Sequence, residues 1–363
     1  MAYLNLYRDK LKHNYEYLNS LFKENEIEWA VVTKLLCGTE KYLQEVINLG
    51  TNEVCDSRIS NLAKLKELDP KIDTVYIKPP AQEIIEDLVK YADASFNTEY
   101  RTIKWISDEA KKQGKTHKVI IMIELGDLRE GIMGDHLMDF YESVFRLPNI
   151  KVTGIGANLN CLYGVMPSTD KLIQLSLYKQ LIEAKFGRKI PWVTGGTSVV
   201  IPLIPKKQIP KGINHFRVGE SLYFGNNLFT GERIPDMKED IFKLYAQIIE
   251  ITKKPVMPIG EIDSNPSGES YELDEEDYGK TAYRAILDIG RLDVSEEFLI
   301  PEDETLDMSG ASSDMLVIDL GENSKKYKVG DLVGFKLKYM GALGLLNSNY
   351  ITKHIIDEKG NVH

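Results

Sequence analysis

Short apolar runs alternate with amphipathic stretches over the first two-thirds of the chain. The runs at 29–34 (WAVVTK), 53–56 (EVCD), 73–77 (DTVYI), 93–96 (DASF), 118–125 (KVIIMIEL), 152–158 (VTGIGAN), 190–194 (IPWVT) and 213–217 (INHFR) predict strands. Between them, 40–49, 58–68, 82–91, 99–113, 136–146 and 169–186 carry apolar residues three and four apart, the spacing of helices with one buried face. Strands and helices that alternate in this way predict an α/β fold, a parallel (β/α)8 barrel over residues 1–237. The period then changes. Segments 243–252, 281–290, 315–320 and 332–338 read as strands, with turns such as Gly330-Asp331 between some of them. Residues 238–363 are therefore expected to form a mostly antiparallel β domain.

Composition narrows the function classes. A chain of 363 residues suits a barrel of about 250 residues plus a second domain. It is 43% hydrophobic and 28% charged, an ordinary globular mixture. A net charge of −10 disfavours a nucleic-acid partner, which needs clustered cations. No run of apolar residues is long enough to span a membrane, and the first residues lack the regions of a signal peptide. Cys37, Cys55 and Cys161 form no close pair and no metal spacing, so free thiols in a cytoplasmic protein are expected, without a bound metal.

The candidate chemistry lies at predicted strand ends. The first barrel strand runs into Lys34, followed by Gly38. A desolvated lysine loses its proton readily and can form a Schiff base, whereas a solvated one simply closes the strand. Strand seven ends in Thr194-Gly-Gly-Thr-Ser198 and strand eight in Arg217-Val-Gly-Glu-Ser221. Glycines at Gly196 and Gly219 let the backbone approach an anion. The hydroxyls of Thr197 and Ser198 and the amides of Gly219 and Glu220 can donate to a phosphate, which such barrels often bind after these two strands. Glu261, Asp263, Glu269, Glu272 and residues 274–277 form an acidic stretch, either a solvated loop or a lip that attracts cationic substrates.

Taken together, VTKLLCG (32–38), DSRISNL (56–62), IELGDLREGI (123–132), GANLNC (156–161), GGTS (195–198), NHFRVGESLYFG (214–225), IGRLDV (289–294), GASSDMLVIDLG (310–321) and KYKVGDLVGFKLKY (326–339) resemble the fold-type III pyridoxal 5'-phosphate enzymes. Within them the chain is similar to the ornithine and related racemases of the alanine racemase superfamily. The resemblance implies that Lys34 carries the cofactor, that Arg217 faces its pyridine nitrogen, that Asn158 lies beside the ring, and that Tyr339 reaches the phosphate. A guanidinium keeps its proton, so it would leave the ring nitrogen unprotonated and limit the electron sink, which disfavours transamination. Decarboxylases of the same fold usually place a carboxylate there, so the resemblance favours racemisation over decarboxylation. Arg129 matches the arginine near the substrate carboxylate, for which its fork is well shaped; the alternative is a solvated cluster of Asp127, Arg129 and Glu130.

Two departures from the alanine racemase pattern matter. Arg291 stands where those enzymes place a tyrosine base from the partner subunit, and a permanently protonated group cannot abstract a proton. Cys161 is the first candidate for the second proton carrier, provided its pKa is lowered, and Asp314 of the Ser313-Asp314 turn is the second. Arg291 and Ser313 are then substrate-side candidates, and Asp293 is a candidate partner for a cationic side chain. Met122 replaces a lysine that is carbamylated in many alanine racemases, so that modification is not expected. The expected protein is thus a cytoplasmic, homodimeric amino-acid racemase preferring ornithine or lysine. The alternatives are a decarboxylase or aldolase on the same fold, a cofactor-binding homeostasis protein, or an unrelated barrel enzyme in which Lys34 is incidental.

Overall fold

The computed structural model describes residues 2–264, 268, 270 and 274–363. The chain divides into two compact units, Arg8–Ile241 and the residues up to Tyr7 together with Phe242–His363.

Its strands are β1 (Tyr3–Tyr7), β2 (Glu28–Val32), β3 (Glu53–Asp56), β4 (Asp73–Tyr76), β5 (Ala94–Asn97), β6 (His117–Met122), β7 (Ile150–Gly156), β8 (Trp192–Thr194), β9 (Gly196–Thr197) and β10 (His215–Val218), then β11 (Phe242–Pro255), β12 (Thr281–Leu287), β13 (Leu299–Pro301), β14 (Asp307–Ala311), β15 (Leu316–Asp319), β16 (Leu332–Leu337) and β17 (Thr352–Ile356). The helices are α1 (Arg8–Glu24), α2 (Glu40–Asn48), α3 (Ile59–Leu68), α4 (Ile85–Tyr91), α5 (Tyr100–Lys112), α6 (Leu137–Phe145), α7 (Thr169–Phe186), α8 (Glu220–Phe224) and α9 (Tyr339–Asn347).

In the first unit all strands run parallel, in the order β8-β7-β6-β5-β4-β3-β2-β10-β9. Strands β8 and β9 are two halves of one stretch, separated only by Gly195. The first half pairs with β7 and the second with β10, which closes the sheet into an eight-membered barrel. Gly196 is required there, because a Cβ would fall 2.1 Å from the Phe216 ring. Each predicted barrel strand is present, shifted by a few residues at its ends. The interior is filled by Ala30, Val32, Cys55, Val75, Ala94, Phe96, Ile120 and Met122, which alternate along their strands as inward-facing residues must.

Helix α1 had no counterpart in the periodicity reading. Its buried stripe of Leu11, Tyr15, Leu18 and Phe22 is interrupted by Asn14, and the rest of the helix is strongly polar. Asn14 is nonetheless satisfied: Nδ2 donates to the carbonyls of Leu222 (3.0 Å) and Lys238 (2.8 Å), and Oδ1 accepts from the Lys238 amide (2.7 Å).

The second unit is a β domain, and it includes β1, although local alternation predicts a barrel that takes in residues 1–237. Strand β1 pairs antiparallel with β11 and parallel with β17. The remaining ladder, β13-β16-β11-β12-β15-β14, is antiparallel. Of the acidic stretch, Glu269 and Glu272 lie outside the described residues, whereas Glu261, Asp263, Asp274 and Glu276 are exposed.

One buried titratable group makes stability depend on pH. His117, 3% exposed, shares a hydrogen bond between Nε2 and Ser95 Oγ (2.9 Å), and burial pushes its pKa down to about 4 from an ordinary 6.5. The unfolded ring takes up a proton near pH 6.5 that the folded ring resists, so stability is complete above that pH and falls as pH drops toward 4. This single group is expected to remove up to about 3 kcal/mol over that window. Thermal unfolding of wild type and His117→Gln at pH 7 and pH 4.5 checks it: the variant should lose less stability on acidification, and an equal loss in both proteins would contradict the assignment.

Candidate active site

Parallel strands leave all their carboxyl ends at one rim, where loops are free to carry chemistry. Strand β2 ends at Val32, and Lys34 opens a short 3-10 turn to Leu36 rather than continuing the strand. Lys34 is exposed. Its ammonium lies near enough to Cys161 and Glu220 to lower both their pKa values, although burial pushes each of those groups up overall. The lysine after the first barrel strand, the loop after the sixth (β7) and the helix after the eighth (α8) are therefore one neighbourhood.

Arg217 points into the barrel and is 4% exposed. Nη1 donates to the carbonyl (2.9 Å) and hydroxyl (2.6 Å) of Thr194. Nη2 donates to the Ala157 carbonyl (3.1 Å) and Asn158 Oδ1 (3.0 Å). The guanidinium lies 4.9 Å over the Phe96 ring, a favourable placement of a cation on a π face. All four of these acceptors are neutral. Burial accordingly lowers the pKa of Arg217, against the pull of Cys55, Glu130 and Cys161. Asn158 passes the contact on, because its Nδ2 donates to Glu130 Oε1 (2.6 Å).

Glu130 pairs with Arg129 through Nε and, at 2.7 Å, through Nη2, which raises the pKa of Arg129. One edge of the Arg129 fork is thus already engaged. The predicted cluster is split: Asp127, 1% exposed, turns away and accepts the backbone N–H groups of Cys161 (3.0 Å), Leu162 (2.9 Å), Tyr163 (3.3 Å) and Val165 (3.1 Å). Those bonds hold its carboxyl below the usual range despite its desolvation. Asp127 thereby staples the loop that carries Cys161 to the loop after β6. Cys161 is exposed as a residue, but its thiol, 3.5 Å from the Leu159 carbonyl, is partly buried and pushed up by that desolvation, with Arg129 and Lys34 pulling against it and Glu130 adding to it. The lowered pKa that the sequence reading required of this thiol is not found.

The two glycine-bearing turns are joined directly. Ser198 begins a 3-10 turn through Leu203, and its Oγ accepts the Ser221 amide (3.2 Å) from the first turn of α8. Thr197 pairs in register with Arg217, and Gly219 precedes Glu220 at the start of α8. Early helical N–H groups have no partner within their helix, so this junction suits an anion. The Glu220 carboxyl is pushed up by burial, while Asn226 and Lys34 lower it.

In the β unit, Arg291 is engaged by Glu296, with Nε at 3.1 Å from Oε2 and Nη2 on Oε1. Its loop lies against the Ser313-Asp314 turn: the Leu292 amide donates to the Ser313 carbonyl (3.0 Å), and a Cβ on Gly290 would sit 2.3 Å from that oxygen. Ser313 Oγ donates to Asp314 (2.6 Å), and both residues are exposed. Arg291 and Asp293 line a cavity of about 450 Å3 with Met340, Asn347 and Tyr350. Tyr339, half-buried, is the first residue of α9. Sequence reading missed Glu130, Thr194, Glu53 and His215 as members of the site's network; the only available signal was the period-two parity that puts 215 with 217 and 53 with 55 on one face.

The model of the alanine racemase N-terminal domain matches residues 6–227. An ornithine racemase of Acetoanaerobium sticklandii is 38% identical over 349 residues, 96% of this chain and 98% of that protein. A lysine racemase of Thermotoga maritima is 28% identical over 328 residues, covering 90% of each. Among solved structures, an alanine racemase from Bartonella henselae with covalently bound pyridoxal phosphate superposes with a TM-score of 0.75 at 16% identity, covering 98% of this chain and 99% of that one. The alanine racemase of Clostridium difficile 630 gives 0.74 at 16% identity, covering 100% and 97%. These structural likenesses establish the two-part fold. The sequence matches go further, and on them the chain belongs to the alanine racemase family.

Proposed function

We propose that the chain is a pyridoxal 5'-phosphate-dependent racemase of basic amino acids, ornithine first and lysine second. The observation that carries the reading is the set of groups at one barrel rim. An exposed strand-end amine stands near two donor-rich turns, above a buried guanidinium whose partners are neutral. That set fits the cofactor's needs: an amine to anchor it, N–H and O–H donors for a phosphate, and a cation for the pyridine nitrogen. Relatedness along nearly the whole chain to an ornithine racemase and a lysine racemase narrows the substrate.

When bound, the cofactor supplies the electron sink that weakens the substrate Cα–H bond. Lys34 would anchor it and move a proton at Cα on one face. Thr197, Ser198 and the amides of Gly196, Gly219 and Glu220 would hold the phosphate, and Tyr339 is proposed as a further phosphate ligand. Arg217 would face the ring nitrogen and, retaining its own proton, would leave that nitrogen unprotonated. Asn158, which accepts from Arg217 Nη2 (3.0 Å), would orient the guanidinium toward the ring. Arg129 receives the substrate carboxylate on the edge that Glu130 leaves.

Cys161 serves the opposite face as the second proton carrier; as a neutral thiol it is poised to donate, and Asp314 is the alternative. Arg291 and Ser313 would complete the site of a partner subunit in a homodimer, with Asp293 offering a carboxylate to the substrate's terminal ammonium. A cytoplasmic location accords with three free cysteines.

Three outcomes are expected. Borohydride reduction of the loaded enzyme followed by peptide mapping should place the pyridoxyl group on the Lys34 peptide, and a label on any other lysine overturns the anchor. Across a panel of L-amino acids followed by optical rotation, kcat/KM for ornithine should exceed that for alanine by about tenfold or more, because a desolvated charge pair discriminates against a substrate that lacks it. Parity between the two would remove the specificity while leaving the racemase. Cys161→Ala should slow racemisation by a factor on the order of 10²–10⁴, the usual contribution of a positioned proton carrier, while solvent deuterium still enters one enantiomer on the Lys34 face. Racemisation within about threefold of wild type would transfer the role to Asp314.

A further inference from the structure

Barrel interiors are normally filled by layers of branched aliphatic side chains. The sector beneath Arg217 is not. Residues two apart on a strand share a face, so His215 lies directly below Arg217 on β10, and Glu53 lies below the interior Cys55 on β3. Thr194 Oγ1 is 2.6 Å from Arg217 Nη1 and 2.8 Å from His215 Nδ1. His215 Nε2 is 3.1 Å from Glu53 Oε1. Exposures are 0% for Thr194, 2% for His215, 4% for Arg217 and 9% for Glu53. Trp192 stacks on the imidazole at 4.7 Å and 21°, which holds the ring in its plane.

Donor chemistry sets the direction of this chain. A guanidinium only donates, so Thr194 Oγ1 accepts from it. The one hydroxyl hydrogen of Thr194 is then available to His215 Nδ1, which leaves Nε2–H to donate to the Glu53 carboxylate. Every donor points from the cation toward the anion, the arrangement in which consecutive hydrogen bonds polarise and strengthen one another.

We propose that Glu53, His215 and Thr194 are positioning residues for Arg217, a relay that fixes the guanidinium's orientation and lends it the charge of a carboxylate two side chains away. The relay accounts for a buried cation whose direct partners are all neutral, since an uncompensated charge in a dry interior is costly. Its catalytic consequence rests on the reading that Arg217 faces the pyridine nitrogen. Drawn toward Glu53, the guanidinium donates less strongly to the ring, which keeps the electron sink weak and side reactions rare.

Two measurements test it. In the full chain labelled with 15N-histidine, long-range proton–nitrogen correlation spectra at neutral pH should show His215 as the Nε2–H tautomer. An Nδ1–H tautomer or a doubly protonated ring overturns the relay, whether or not the cofactor is bound. In the loaded enzyme, Glu53→Gln keeps the shape and an acceptor but removes the charge, and Thr194→Val removes the hydroxyl link. Each should raise the ratio of pyridoxamine phosphate formed to racemisation turnovers by roughly three- to tenfold, the scale of a charge-assisted hydrogen bond weakened at one remove. The double variant should match Thr194→Val alone within about twofold, because cutting the link already isolates Glu53. Additive effects, or an unchanged ratio in Glu53→Gln, mean that these residues only fill the core. Wild-type protein that takes up no pyridoxal phosphate would instead defeat the functional reading, and the tautomer would still decide the relay.

Discussion

A guanidinium buried inside a barrel of apolar side chains is the constraint around which the active end of this protein is arranged. Arg217 cannot shed its charge, so each donor must find an acceptor or the fold carries an unpaired polar group in a dry interior. The acceptors come from the end of one strand and the loop after another: the backbone and hydroxyl of Thr194 on β8, and the Ala157 carbonyl and Asn158 side-chain amide just past β7. Satisfying Arg217 therefore also fixes the ends of β7, β8 and β10 relative to one another. The same requirement explains the closure of the barrel, since the break at Gly195 lets one stretch of chain pair on both sides while Thr194 stays aimed at the arginine.

The rim above it is held by a second polar device of opposite sign. Asp127 sits beneath two loops and gathers four amide N–H groups, a task only a carboxylate with free lone pairs can perform in so little space. Arg129, two residues on, faces outward with Glu130. A single short segment, Asp127-Leu-Arg-Glu130, thus supplies a buried staple, a cation and its counter-charge. Glu130 also meets Asn158, so the two systems share one continuous network running from the barrel interior to its surface.

The electrostatic character of that network bears on the reaction. Among the described residues, carboxylates approach Arg217 through intermediaries, Glu130 by way of Asn158 and Glu53 by way of His215 and Thr194. A carboxylate in direct contact would neutralise the guanidinium, and one in its place would let a ring nitrogen hold a proton. The barrel does neither. This restraint is consistent with interconverting enantiomers, where a strong electron sink adds side products without adding rate to the wanted step.

The period of the hydrophobic pattern, together with the points at which strands end, determined much of this protein in advance. Eight barrel strands, the change to an antiparallel domain, and the placing of Lys34, Arg217, Ser198 and Glu220 at strand ends all follow from local alternation, because inward and outward faces are set by the pleat itself. Helix α1 escaped, because a polar Asn14 occupies its buried stripe and is satisfied only by backbone groups more than 200 positions away. Strand β1 escaped because its partners, β11 and β17, come from the far end of the chain. The same reason hid the partners of Arg217 and the task of Asp127. A guanidinium's need for acceptors is legible in one residue, but which oxygens meet it depends on closing the barrel, and no spacing along the chain records that. Whether the Cys161 thiol is lowered or raised was likewise a tertiary outcome, decided by the balance of burial, Arg129, Glu130 and Lys34 around it.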